Sequence, residues 1–264
     1  MEFDWLLLGA GLVLGATIGS FLNVVILRFS SGQPIGLSRS ACPHCHHTLA
    51  WYDLLPVLSF VLLGGKCRYC HKSISIQYPL VEAVNALAVV YFILFLSHWL
   101  VLGALLYVIF ALLLVLFVID LQTFLLPDFY IVLLSVAVVL YHALAQTLLP
   151  TEQFWGLVIG SGALLLLWAI TKGKGIGFGD VKLLIPLGIF FGPSGAISLL
   201  FLAFVVGGAV GGALLILGKA TPKTAIPFGP FLAGAAMLLM LYPPIVSLFE
   251  DVFLGPYNAV LYQR

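Results

Sequence analysis

Two sets of residues in this chain have types and spacings that could do chemistry. The first is "CPHC" (Cys42, Cys45) and "CRYC" (Cys67, Cys70), which together hold all four cysteines and stand 21 residues apart. Paired C-x2-C turns of this kind present four thiolates tetrahedrally to one zinc ion. His44, His46, His47 and His71 crowd the same region and offer further ligands, but four cysteines complete a site, so the histidines read as surface residues. The second set is acidic. Asp120 ends "LLLVLFVID" and Asp180 follows "GKGIGFG", each against a strongly apolar run. A carboxylate at the edge of hydrocarbon costs a few kcal/mol, so it is a functional-site hypothesis by default. Two carboxylates brought together do not both ionise easily and can share a proton. The ionised member activates a water and the protonated one donates to a scissile carbonyl oxygen. That is peptide hydrolysis without a metal or a covalent intermediate.

The remaining acids near the same face have other readings. Asp128 follows Pro127 and reads as the N-cap of the next helix, a role Asp commonly fills. Glu82, early in an apolar helix, suits the positive end of the helix dipole and is either structural or turned toward the site. Asp120 lies at a helix C-terminus, where an acid opposes the dipole, and this selects it over Asp128. Ahead of Asp180, Gly173, Gly175, Gly177 and Gly179 allow close backbone approach. Gly177, Gly179 and Lys182 are the candidate strip for an extended substrate. The glycines lack the order of a dinucleotide-binding turn and no G-K-[ST] follows, so neither nucleotide reading holds.

Positioning these groups falls to apolar helices. The 264-residue chain is 62% hydrophobic and 8% charged, against about 25% charged in an ordinary soluble domain. The expected fold is all-α, a polytopic integral membrane protein. Runs long enough to cross about 30 Å of hydrocarbon lie near 5–27, 79–97, 99–119, 129–149, 154–171, 183–200, 201–217 and 226–247, about eight transmembrane helices. The breaks at "SHW" (97–99) and "FGPSG" (191–195) are the shortest. With the N-terminus outside, ten of the eleven basic residues fall in cytoplasmic connections, leaving only Arg264 outside. Both termini are therefore expected outside and both aspartates at the cytoplasmic face. Glu2 and Asp4 precede the first run and Arg28 follows it, the reverse of a cleaved secretory signal.

Three segments follow: a first transmembrane helix (1–27), a cytoplasmic zinc-binding loop domain (28–78) and a transmembrane peptidase domain (79–264). Disulfides are the competing use of the cysteines, but the cytosol keeps thiols reduced. A loop of this size needs a metal staple to fold. Small residues four apart (Gly11, Gly15, Gly19; Gly156, Gly160; Gly207, Gly211; Gly208, Gly212) read as helix-packing faces. The net charge of +1, with no basic tract, gives no sign of a nucleic-acid partner. Alternatives to a peptidase are an ion-coupled membrane transporter relaying protons through buried acids, and a scaffold recruiting partners through the zinc loop. A transporter site belongs near the bilayer midplane, often between inverted repeats, and no convincing repeat is visible here.

Five segments resemble the bacterial type IV prepilin leader peptidases, bifunctional peptidase and N-methyltransferase enzymes of type IV pilus and type II secretion systems. They are "GSFLNVVILR" (19–28), "CPHC…LLPVLSFVLLGGKCRYC" (42–70), "IDLQTFLLPD" (119–128), "GFGDVKLL" (177–184) and "IPFGPFLAG" (226–234), in family order. The resemblance implies catalytic Asp120 and Asp180, zinc on Cys42, Cys45, Cys67 and Cys70, and a bacterial inner-membrane location. It also implies prepilin and pseudopilin substrates with a short basic leader, cut after a glycine at the cytoplasmic face. The new N-terminus is then methylated from S-adenosylmethionine, whose site the sequence does not mark.

Overall fold

The computed structural model describes residues 5–32, 40–95, 100–147, 149–221 and 224–245. Glu2, Asp4, Arg39, Lys223 and Arg264, which entered the charge pattern, lie outside them, as does the "SHW" break. The described residues are helical apart from two single antiparallel bridges and the connecting turns. The chain divides into two compact units, Met1–Tyr107 and Val108–Arg264.

The first unit is built on α1 (Trp5–Ser30) and α3 (Gln77–Val89), the latter continuing as a wider π turn over Val90–Phe95. Their axes approach closely because Gly15 and Gly19 have no side chain to separate them. A Cβ on Gly15 would stand 2.6 Å from Ala86 Cα, and one on Gly19 2.7 Å from Glu82 Cα. Asn85, fully buried, donates to the Gly15 carbonyl at 2.7 Å and to the Tyr107 hydroxyl at 3.0 Å. Between these helices the chain makes two cysteine knuckles, a 3₁₀ turn (Trp51–Leu54) and the short α2 (Leu58–Leu62).

The second unit contains α5 (Asp128–Ala145), α6 (Pro150–Thr171), α7 (Phe178–Ile216), α8 (Gly229–Leu241) and most of α4 (Leu100–Thr123). Residues 109–116, 118 and 119 of α4 are all buried, as expected of a helix apolar on every side. α6 lies along α7 through facing glycines. A Cβ on Gly156 would fall on Gly188 and Gly192 backbone, and one on Gly188 would fall on Gly156 backbone. Gly207 packs under Phe231. Gly208 and Gly212, expected to form a packing face, border open space: a Cβ on either would meet nothing within 4 Å.

Among the described residues five helices are long and apolar enough to cross a membrane: α1, α4, α5, α6 and α7. The expected spans 183–200 and 201–217 are one element, interrupted at Gly192, inside the "FGPSG" (191–195) break of the sequence. Gly192 takes φ 67° and ψ −171°, a backbone state open only to glycine, and Pro193 cannot continue the preceding hydrogen-bond ladder. α8 is 13 residues long, shorter than a full crossing.

The glycine contacts predict a contrast. Gly156→Val should destabilise the purified protein by about 1–3 kcal/mol through overpacking, seen as a lower unfolding temperature in detergent. Gly162→Val, where a Cβ meets nothing within 4 Å, should leave that temperature nearly unchanged.

Candidate active site

Asp120 lies in the last turn of α4, and its backbone carbonyl accepts from Phe124 N–H at 2.9 Å. The helix ends there because Phe124 turns left-handed (φ 57°), a state that a bulky residue seldom takes. Asp180 is the third residue of α7, whose N-cap is Gly177. Gly177 N–H donates to Asp180 Oδ2, and Asp180 N–H donates back to the Gly177 carbonyl, both at 3.2 Å. Asp180 therefore sits where its own helix is electropositive.

Asp120 has the equivalent support from a different helix. The N–H of Gly229, the first residue of α8, faces the Asp120 carboxylate. A Cβ on Gly229 would fall on Asp120 Oδ2, so only glycine leaves the acid its place. The unfavourable end of α4 is offset by the favourable end of α8. Both side chains are nearly sealed, Asp120 at 4% and Asp180 at 6% exposure. They are close enough for the charge of Asp120 to act on Asp180. Leu126 fills the space beside them. Its side chain stands 3.1 Å from a Cβ on Gly229 and 3.2 Å from one on Gly179, joining the α4–α5 connection to the starts of α7 and α8.

Other candidates fall differently. Asp128 is not the N-cap of α5; Pro127 holds that place without a side-chain cap. Lys182 donates instead to Asp128 Oδ1 at 2.7 Å and Oδ2 at 3.0 Å, while also lying over the Phe178 ring. The cross-helix cation outcompetes the local capping role. Within the expected substrate strip, Gly177 makes room for Asp180 Oδ2 (3.3 Å from a Cβ) and Gly179 for Leu126. Glu82 is buried in α3 and accepts from Val57 N–H at 2.7 Å, a tie to the cysteine region. Gly229 carried no role in the sequence reading, although "IPFGPFLAG" contains it. Its signal was a glycine opening an apolar helix just ahead of a proline.

The four cysteines meet. All four Sγ atoms lie within 4.8 Å of one another, and Cys42 and Cys70 are 3.8 Å apart. Tetrahedral sulfur ligands about 2.3 Å from zinc would be about 3.8 Å apart, so the cluster fits one such ion. The knuckles are near copies. Ala41 bridges Thr48 as Lys66 bridges Ser73, Cys42 and Cys67 accept from the backbone N–H of His46 and His71, and both histidines are left-handed (φ 57° and 56°). All four histidines of the region are exposed. Burial alone would raise the Cys42 thiol, yet backbone donors at Cys45 and His44 and neighbouring thiols bring it down to about 7.

A clasp joins the knuckles. Asp53, its side chain 3% exposed, accepts from Arg68 Nε at 2.7 Å, Tyr69 hydroxyl at 3.0 Å and Ala50 N–H at 3.2 Å. His47 stacks on Tyr69 with ring centroids 3.7 Å apart. Burial works to raise the Asp53 carboxyl, but the Arg68 and Tyr69 bonds prevail and hold it below the usual carboxylate range.

Residues 13–96 match the bacterial peptidase A24 N-terminal domain, and residues 107–212 match the type IV leader peptidase family. The chain is 36% identical to the prepilin leader peptidase/N-methyltransferase of Burkholderia pseudomallei (strain 1026b), across 88% of this chain and 84% of that protein. This chain belongs to the type IV leader peptidase family. The like-named protein of Stutzerimonas stutzeri is 33% identical across 88% of this chain and 89% of its own, and that of Bacillus subtilis (strain 168) 29% across 92% and 98%. No solved structure matches the chain. The two matched regions of this leader peptidase part near Tyr107/Val108, where its two units divide.

The Asp53 clasp predicts a metal phenotype. Asp53→Asn keeps the shape but removes the charge that Arg68 and Tyr69 recognise. A chelator should then strip bound metal a few-fold faster than from the wild type, followed by a metal-sensitive dye. A depressed carboxyl contributes its stability above its unfolded value and loses it as pH falls through the folded one. The effect of Asp53 should thus be full at neutral pH and fade only below about pH 4.

Proposed function

We propose that Asp120 and Asp180 are the catalytic pair of a membrane aspartyl endopeptidase that removes the leader of prepilins and pseudopilins. The observation that carries this reading is that two sealed carboxylates, held at the starts of α7 and α8 on either side of Leu126, lie within reach of each other's charge in a member of the type IV leader peptidase family. In this reading the pair shares one proton, because two carboxylates within reach of each other do not both ionise easily. The ionised member takes a proton from the attacking water while its partner donates one to the carbonyl oxygen. The tetrahedral intermediate then collapses, its amine leaving with a proton returned from the pair. Gly177 and Gly229 N–H groups orient the two acids throughout.

Zinc is the metal that the four thiolates suit best, held by Cys42, Cys45, Cys67 and Cys70 as a closed structural site. When bound it supplies a rigid cross-link between the knuckles. The protein also N-methylates the new N-terminus, with S-adenosylmethionine supplying the methyl group; the relatives' shared name supports this activity. It is a membrane protein of the bacterial inner membrane. The distribution of basic residues supports both termini outside and the aspartates at the cytoplasmic face, where a basic leader is presented. Gly177, Gly179 and Lys182 border the site as its substrate strip, with Lys182 free to act only by exchanging Asp128 for another carboxylate. The ion-coupled transporter gains no support from a family of peptidases.

Leader cleavage by purified protein, followed by mass spectrometry of a prepilin, tests this. Asp120→Asn and Asp180→Asn should each slow cleavage by about 10²–10⁴-fold, the usual range for general acid–base groups, with metal content unchanged. Asparagine still accepts from Gly177 N–H, so the Asp180 variant should keep its fold. Normal cleavage by either variant would remove that residue from the mechanism. Cys42→Ser should lose metal.

A further inference from the structure

The strap that carries the second half of the cysteine loop is unusual in where it lies and in how its backbone is held. Leu55, Pro56, Val57 and Leu58 line a cavity of about 500 Å³ together with Leu12, Val13 and Ala16 of α1 and Ala86 of α3. Those α1 residues lie in the middle of Trp5–Ser30, a helix apolar and long enough to cross a membrane. Counted from Asn23, which donates to the Tyr78 carbonyl at the start of α3, they are about 10–16 Å along the helix at 1.5 Å per residue. The strap therefore reaches well below the level where α3 begins.

Its side chains suit that depth. Leu54, Leu55, Leu58, Val61 and Leu62 are all exposed, Leu62 at 73%. Trp51 and Tyr52 precede them, exposed and of the kind that sits at membrane–water boundaries, and the exposed Lys66, Arg68 and Lys72 follow. The sequence reading placed the whole of 28–78 in the cytosol, and an exposed apolar run would be costly there.

The backbone shows the same adaptation. Non-helical chain at membrane depth persists only where its backbone is covered by protein and its polar groups are satisfied, and residues 55–58 lie against α1 and α3. Val57 adopts φ 60° and ψ −48°, with Leu58 N–H reaching back to the Pro56 carbonyl at 2.5 Å. This is a γ-turn, rare and strained for a β-branched residue. Pro56 has no N–H to satisfy. The N–H of Val57 is taken by the buried carboxylate of Glu82. α2 then satisfies the following groups internally and Gly64 and Gly65, both left-handed, turn the chain back toward Cys67.

We infer that Leu54–Leu62 is a re-entrant segment whose exposed face contacts lipid acyl chains, latched to α3 by Glu82. It borders α1 beside Val13, which is exposed, as is the neighbouring Leu14. The cysteine knuckles are thereby anchored into the bilayer rather than only tethered beside it.

The test is photolabelling of the full-length protein in liposomes that contain phospholipid with a diazirine at the end of one acyl chain. After irradiation, peptides are mapped by mass spectrometry. The expected result is labelling of Leu54–Leu62 within a few-fold of that on Val13 and Leu14, with Tyr69–Lys72 unlabelled. Absence of label on the strap while α1 is labelled overturns the inference. So does labelling only by a headgroup-borne diazirine, or a cross-link through the strap to a second copy or another protein. Glu82→Ala should lower strap labelling severalfold with α1 labelling unchanged; an unaltered pattern would remove Glu82 as the latch. Leader cleavage measured on the same samples reports separately on the aspartate pair.

Discussion

Two acids can be kept buried within reach of each other's charge only if the protein supplies what water would have supplied. Here the supply is backbone. Asp180 rests on the N-terminus of its own helix, through Gly177 N–H, and Asp120 rests on the N-terminus of α8, through Gly229 N–H. Unpaired N–H groups and the dipole together make a helix start a ready site for negative charge. A carboxylate at the C-terminal end of α4 would be unfavourable alone. Facing α8, it is stabilised, and the two helix starts bring two acids into mutual range.

Much of the surrounding architecture follows from holding those starts together. Leu126 packs against both Gly179 and Gly229, so both glycines answer to their neighbours rather than to backbone freedom. Phe124 ends α4 in a strained turn, which lets the chain reverse within a few residues and place Leu126 there. Farther along, α7 is pinned to α6 by glycine-to-glycine contact around Gly156 and Gly188. The Asp128–Lys182 pair ties α5 to the second turn of α7 at the surface, where an exposed ion pair contributes little stability but fixes register.

The sequence made some of this legible and hid the rest for physical reasons. Asp120 and Asp180 stood out because charges are scarce in so apolar a chain, and the cysteine knuckles stood out because metal ligands need tight local spacing. Gly156 and Gly160 announced a packing face, whereas Gly208 and Gly212 shared the pattern without a partner, since spacing records opportunity and not contact. Asp128 looked like a cap because capping is a local rule; the residue that claims it, Lys182, is distant in sequence. Gly229 and the Val57–Glu82 bond were invisible for the same reason. The interruption of α7 was legible as the Gly-Pro pair of "FGPSG", but hydropathy runs on through it, so the limits drawn for the two apolar runs did not follow the backbone angles at Gly192. Length and polarity set the limits of the 28–78 loop but do not report that its apolar middle lies against the centre of α1.

The central claim is that Asp120 and Asp180 act as one unit on one proton. Residues that work as a unit are non-additive when removed singly and together. The decisive measurement is the cleavage rate of a prepilin by Asp120→Asn, Asp180→Asn and the double variant, under conditions where enzyme exceeds substrate. A paired site predicts that the double variant is no slower than the slower single variant. Losses that multiply in the double variant would show two independent contributions, and the shared-proton account would be wrong.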